Sequence, residues 1–256
     1  NLRARWQLLF AVLAAAVVVF FGIGPEIVTN PFGGIIHLDA LKISAGNLGQ
    51  WLLLSDFIVF FWLMAMMFTT KLLDGLDGLV VGVVIIGASL IAALSLQAKW
   101  YQPDLALLAI IFVGACAGFL LWNFYPAKIF LGQGGSLFLG FILGCLAIIS
   151  GGKIATTLLV IGVPMLDMAR VIIRRWQKGR PLFTGDSEHL HFRLLQSGLS
   201  QSQAVLLLYS VSFLFGLTTL FLQSRQKLIA LAFLFVLMLL AGVWLSRQEF
   251  NKYEHK

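Results

Sequence analysis

The sequence predicts an all-α polytopic membrane protein, and three observations predict it. The 256-residue chain is 60% hydrophobic and only 11% charged, with a mean hydropathy of +0.95. Long apolar runs recur along most of its length, separated by short polar islands. The runs are continuous, whereas a transmembrane barrel needs alternating segments of roughly ten residues. Lipid admits only helices and closed barrels, because the backbone must satisfy itself there, so helices remain.

Eight candidate spans follow in order: Trp6–Gly24, Trp51–Thr70, Leu79–Leu96, Leu105–Phe124, Ser136–Gly151, Ile154–Ile173, Ala204–Leu222 and Leu228–Ser246. An even number puts both ends on one side. Of the 18 Lys and Arg, five (Lys42, Lys99, Lys153, Arg225 and Lys227) then lie on one face and the other thirteen on the face shared with the termini. The positive-inside bias makes that face cytoplasmic. It also accounts for the net charge of +7 without nucleic acid. The expected address is a plasma (inner) membrane, multi-pass, with both ends of the chain in the cytoplasm. The chain opens Asn-Leu-Arg with no initiator Met and no signal peptide, so a preceding segment is expected. Cys116 and Cys145 lie inside apolar runs without metal-ligand spacing and read as small hydrophobes.

In the first outer connection, apolar runs flank Asn30-Pro31-Phe32-Gly33-Gly34, a turn composition that predicts a short outer β-hairpin. His37 reads as a surface residue. Within the spans, Gly114–Gly118 and Gly140–Gly144 have the small-xxx-small spacing of close-packed helix faces. Asp167 and Arg170, three apart in the sixth span, neutralise each other and stand where they can brace an inner site.

The inner connections carry the polar chemistry. The first is Lys71–Leu79, KLLDGLDGL. A carboxylate at the bilayer centre costs about 2.5–3.5 kcal/mol on insertion scales, and two without a partner about twice that. The pair therefore belongs at a membrane surface or on a polar cavity. In a helix, Lys71, Asp74 and Asp77 would share an arc of about 120°, with Gly75 and Gly78 leaving room for close approach.

The second island is Asn123–Ser136, NFYPAKIFLGQGGS. Pro126 stops the preceding helix, and Gly132, Gly134 and Gly135 expose N–H groups beside a helix start. That is a ready anion site, to which Asn123, Lys128 and Phe130 add weight. The third, Arg174–Gln203, is the longest polar piece and contains GDSEHLHFRLLQSG. His189 and His191 share a face only on extended backbone. With no third His or Cys near they make a weak zinc site, but with Arg193 they suit a phosphate or sugar.

Acidic, glycine-rich and histidine-rich islands in this order resemble the polyprenyl-phosphate N-acetylhexosamine-1-phosphate transferases. The likeness is to the undecaprenyl-phosphate GlcNAc-1-phosphate branch and, more distantly, to the phospho-MurNAc-pentapeptide translocases. It rests on DGLDGL at Asp74–Leu79, NFYPAKIFLGxGGS at Asn123–Ser136 and DxxHLHxRL at Asp186–Leu194, and it spans essentially the whole chain. The resemblance implies a single transmembrane transferase domain over residues 1–256, with 174–203 as its cytoplasmic histidine-bearing loop. It also implies Mg²⁺, a UDP-N-acetylhexosamine donor and a polyprenyl phosphate acceptor, in the first membrane step of a cell-envelope glycan; a homodimer is compatible with it. The catalytic candidates are then Asp74, Asp77, His189, His191 and Arg193, and the substrate-binding ones Lys71, Asn123, Lys128, Phe130 and Ser136. Asp77 and Phe130 would meet the uridine, Asp74 would serve the metal, and the histidines and Arg193 would line the sugar-diphosphate side.

The chain departs from the family pattern at defined places. Gln133 stands where the family places an acidic metal ligand, and Lys71 and Phe68 stand near two family asparagines. Ser187 and Phe192 replace an Arg and a His. A family Asp-Asp pair is expected just before the first span seen here. Gln133 motivates a second reading, an impaired relative that binds nucleotide-sugar or lipid or scaffolds polysaccharide assembly. A secondary transporter ranks last, because the chain has no internal repeat.

Overall fold

The computed structural model describes residues 4–30, 34–39, 42–44, 50–151, 154–177, 179, 189–223, 225–237 and 240. The chain folds as α1 (Ala4–Phe20), two small hairpins, then α2 (Leu53–Leu73), α3 (Leu79–Ser95), α4 (Pro103–Asn123), α5 (Gly132–Ile149), α6 (Ile154–Gln177), α7 (Leu190–Gln196) and α8 (Gln201–Thr218). Residues 225–237 are also helical. The expected all-α membrane architecture is what the structure shows.

Among the described residues five helices, α2, α4, α5, α6 and α8, are long and apolar enough to cross a membrane. The expected count of eight is not reached on that criterion. The apolar helices at α1 and α3 are shorter than 18 residues. Most of the eighth expected span, from 238 onward, lies outside the described residues apart from residue 240.

α3 sits at the centre of the bundle. Thirteen of its 17 residues are buried, on every side of the helix, and a helix apolar all round belongs at a core. It packs against α4, α5, α6 and α8. By contrast α4 buries little and turns Leu107, Leu108, Ile110, Ile111 and Leu121 outward, as a lipid-facing helix does.

A close seam joins α2 to α5. A Cβ at Gly140 would overlap Thr70 Oγ1 and the Met66 carbonyl, and one at Gly144 would press on Leu63 and Met66. This is the small-residue packing expected of that pair. The Gly114 and Gly118 pair differs: nothing described lies within 4 Å of an added Cβ at either, so those glycines let no neighbour approach. Across the seam Thr70 Oγ1 donates to the Ser136 carbonyl (2.7 Å) and Trp62 Nε1 to the Gly144 carbonyl (3.2 Å). Such bonds average only about 0.6 kcal/mol in membranes, so they set the register of the seam more than its strength.

The end of the bundle where α2 begins carries the β structure. Strand β1 (Ile27–Thr29) pairs antiparallel with β2 (Ile35–His37), as the turn composition predicts. A second hairpin, β3 (Lys42–Ser44) with β4 (Gln50–Leu52), was not expected. Its connection, 45–49, is outside the described residues. His37 is exposed and lies 3.5 Å from Asp39.

Candidate functional site

The site forms at the opposite end of the bundle, where α2 stops. The acidic run does not continue the helix. Lys71 is in the last turn of α2, Asp74 is its C-cap, and Gly78 takes φ +79° to cap α3. Asp74 and Asp77 therefore sit on a five-residue turn, not on the helical arc allowed for above. The turn exists because Gly78 adopts a conformation that costs other residues about 1–2 kcal/mol.

Each acid meets the second island. Asp77 Oδ2 accepts from the Ala127 N–H at 3.1 Å, and the Ser136 hydroxyl is near enough to Asp74 to favour its charged form. Ser136 is fully buried, and its Oγ also lies 3.2 Å from the Gln133 carbonyl. Burial, reinforced by the charge of Asp77 and opposed by Ser136, pushes the Asp74 carboxyl up to about 6. The glycines of this island belong to the first turn of α5, which starts at Gly132 instead of Ser136.

The third island closes on the same turn. A Cβ at Gly75 would overlap the His191 imidazole and reach 3.0 Å from Phe192. His189 is the extended N-cap of α7, with ψ 147°. That extended cap lets the His189 and His191 rings stack in parallel at 5.6 Å. His191 Nε2 is buried without a hydrogen-bond partner among the described residues. Burial, with help from His189, lowers its imidazole to about 4, so it is neutral at physiological pH. Arg193 is buried too. Asp186 and Ser187 lie outside the described residues.

Asp167 of α6 organises this segment. Its Oδ1 accepts from Arg170 at 2.9 Å, and its Oδ2 takes both His189 Nδ1 at 3.0 Å and the Leu190 N–H at 2.9 Å. A carboxylate only accepts, so Nδ1 of His189 carries a proton and the ring turns Nε2 away from Asp167. The Asp167–Arg170 pair expected from spacing is present, and the histidine is its further partner.

The remaining candidates divide. Asn123 is buried and donates to the Ile129 carbonyl at 2.9 Å, shaping the loop. Lys128 Nζ lies over the Trp122 ring at 5.1 Å, and Phe130 is 74% exposed. Lys71 forms no ion pair with Asp74. Its Nζ donates to Gln7 Oε1 at 2.6 Å, and Gln7 Nε2 donates to Gln133 Oε1. Two site residues escaped the sequence reading. Gln7 had a signal, a lone amide inside an apolar run. Tyr209, whose hydroxyl donates to the Gly78 carbonyl at 2.5 Å, had none.

Magnesium is held by one or two carboxylates completed by waters and substrate phosphates. Among the described residues no group of three or more His, Cys, Asp or Glu is placed to hold a metal ion. Asp74 nevertheless fits: its carboxyl is partly desolvated beside a second acid, a charge that a cation would compensate. Gln133 does not add a charged ligand, and its carbonyl oxygen is taken by Gln7. Among the described residues the donor set is not a preformed cage.

The family described as glycosyl transferase family 4 matches residues 1–151. The chain is 34% identical over 184 residues to the probable undecaprenyl-phosphate N-acetylglucosaminyl 1-phosphate transferase of Bacillus subtilis (strain 168), covering 70% of this chain and 51% of that protein. It is 35% identical over 225 residues to the decaprenyl-phosphate N-acetylglucosaminephosphotransferase of Mycobacterium tuberculosis (strain ATCC 25618 / H37Rv), covering 77% and 52%. With the phospho-N-acetylmuramoyl-pentapeptide-transferase of Desulforudis audaxviator (strain MP104C) it shares 36% over 221 residues, covering 82% and 62%. The chain thus spans about half the length of the first two relatives. A family match across more than half of the residues, with the three motifs meeting at one turn, places this chain in glycosyl transferase family 4.

Proposed function

We propose that the whole protein transfers N-acetylhexosamine 1-phosphate from a UDP-sugar to a polyprenyl phosphate. The reaction takes place at the cytoplasmic face of the plasma membrane, as the first membrane step of a cell-envelope glycan. Residues 1–256 act within one transferase domain, of which 174–203 is the histidine-bearing segment. The observation that carries this reading is the convergence on 74–78: Ala127 on Asp77, Phe124 on Gly78 and His191 on Gly75.

A phosphate oxygen of the lipid attacks the β-phosphorus of the donor, and a new P–O bond forms. The bond from that phosphorus to the bridging oxygen breaks, and UMP leaves with the oxygen. Such a transfer needs positioning and charge neutralisation more than covalent chemistry by the protein. Asp74 would hold the Mg²⁺, which would supply positive charge against the diphosphate. Asp77 and exposed Phe130 receive the uridine. His189, its Nδ1 proton fixed on Asp167, presents Nε2 on the sugar-diphosphate side with His191 and Arg193. Lys128 adds positive charge at the same loop.

The test is release of UMP by the full-length protein given Mg²⁺, UDP-GlcNAc and undecaprenyl phosphate. Release supports the reading, and its absence with every UDP-N-acetylhexosamine tried removes it. The Gln7–Gln133 bond favours one alternative, an impaired relative that binds donor or lipid without turnover. That alternative gains if the natural protein is silent and Gln133→Asp releases UMP.

A further inference from the structure

At the end of the bundle away from the acidic turn, a cavity of about 490 Å³ opens where α4 begins beside the end of α5. Its size lies within the roughly 300–1,000 Å³ of small-molecule sites. Leu105, Leu108 and Ile149 make its apolar wall, and Gln102, Asp104 and Tyr101 its polar lining. Tyr101 is 66% exposed and the neighbouring Trp100 46%, and exposed Tyr and Trp at the end of a span mark the membrane–water interface. Leu108 and Ile149 are exposed as well, so the apolar wall continues onto the lipid-facing side of α4.

Two of the polar groups are acceptors in want of a donor. Gln102 Oε1 is buried without a hydrogen-bond partner among the described residues, an acceptor that has lost water without replacement. Among the described residues no cation is within ion-pair distance of Asp104, and no Lys or Arg lines the cavity. The fixed dipoles point the same way. α5 ends at Ile149 and brings its negative end here. α4 brings a positive end, but the roughly half charge of a helix start is smaller than the full charge of Asp104 in its first turn. The local field is therefore negative, and a ligand that answers it carries positive charge and N–H donors. A primary ammonium has three such donors, whereas a trimethylated one has the charge and no donor. A divalent metal would find a single carboxylate and leave the apolar wall unused.

We propose that this cavity binds a membrane lipid with a primary ammonium headgroup, the ammonium shared between Gln102 Oε1 and the Asp104 carboxylate and the acyl chains lying along Leu108 and Ile149. The protein takes two of the three N–H donors, and the third stays with water at the interface. The lipid's own phosphate faces the open side, where the exposed Tyr101 hydroxyl can donate to it. The site is at the opposite end of the bundle from the three motifs, so it stands whether or not the transferase reading holds.

The test uses the delipidated full-length protein in a non-ionic detergent, with native mass spectrometry counting bound lipids. The probes are dioleoyl phosphatidylethanolamine and the matching lipids with choline and glycerol headgroups. One ethanolamine lipid should bind about tenfold or more tighter than either of the others. Asp104→Asn and Gln102→Leu should each cut that preference to about threefold or less. Leu108→Trp, at a half-exposed position, fills the cavity with both acceptors intact and should abolish the tight site. If Gln102→Leu does not fold, the other two variants decide. Equal binding of the ethanolamine and choline lipids overturns the proposal, and so does a preference that survives Asp104→Asn or Leu108→Trp. Free ethanolamine or Mg²⁺ displacing the lipid at equal concentration marks a soluble amine or metal site and overturns it as well.

Discussion

The two polar regions at the motif end of the bundle are built in opposite ways. The acidic turn and the histidine segment are clamped. Tyr209 bonds the Gly78 carbonyl, Phe124 and Leu120 press on Gly78, His191 fills the space at Gly75, and Asp167 fixes His189. The glycine-rich segment is open: Gln133 and Gly134 are exposed, and among the described residues nothing lies within 4 Å of an added Cβ at Gly132 or Gly134. One side is held rigid by four helices, as a diphosphate in a fixed reaction geometry requires. The other leaves room for whatever arrives. The difference separates residues that set geometry from residues that set what binds.

The largest effect is expected at Asp167, which joins three partners across α6 and α7. Asp167→Ala removes an acceptor from Arg170 and leaves the His189 Nδ1 and Leu190 N–H without the carboxylate they share. Removing one member of a buried pair typically costs about 3–5 kcal/mol. A large fall in the apparent melting temperature of the full-length protein in detergent is expected. In the milder Asp167→Asn, nitrogen NMR of His189 should show a mixed tautomer. An unchanged tautomer would mean the histidine is set by something other than this carboxylate.

A matched glycine pair sharpens the contrast at smaller scale. Gly82→Ala places a methyl group into the Tyr209 ring, an overpacking that costs about 1–3 kcal/mol. Gly134→Ala meets open space inside the first turns of α5, where alanine gains up to about 1 kcal/mol over glycine. Thermal unfolding of the two variants should move in opposite directions. If both fall, the open side is packed against something and the comparison fails.

How much of this was legible in the sequence follows from the kind of interaction involved. The helices could be read because lipid demands long apolar runs, and the island order because motif spacing is linear. The turn at 74–78 was not, because a DGLDGL run fits a helix arc as well as a cap; what decides is Gly78 at positive φ, held by Tyr209 more than a hundred residues away. The second hairpin escaped because β3 and β4 are three residues each, too short for a periodic signal. Gly140 and Gly144 pack while Gly114 and Gly118 do not, although the spacing is identical. The neighbour decides that, and a single chain pattern does not name the neighbour. Asp167 was visible as an ion pair by spacing alone, but its hold on His189 spans 22 residues and needed the fold.

The smallest effect tests the clamped side from within, because Asp74 adjoins Gly75, against which His191 packs, and the two groups titrate in opposed senses. Burial raises Asp74 from an ordinary 3.8 to about 6. Between those values the native state binds more protons than the unfolded chain, so stability falls as pH rises through that window. Burial lowers His191 from 6.5 to about 4. There the unfolded chain binds more protons, and stability rises with pH across the overlapping range. The two contributions offset each other in the natural protein between about pH 4 and 6. Asp74→Asn should leave the histidine contribution exposed, so that melting temperature drops on acidification more steeply than in the parent. His191→Gln should leave the aspartate contribution, and its melting temperature should drop less steeply than the parent's or rise. All other titrating groups are common to the three proteins and cancel in the comparison. Identical pH slopes in all three would mean that neither group is desolvated by the other's segment, and that the turn and the histidines do not meet in solution.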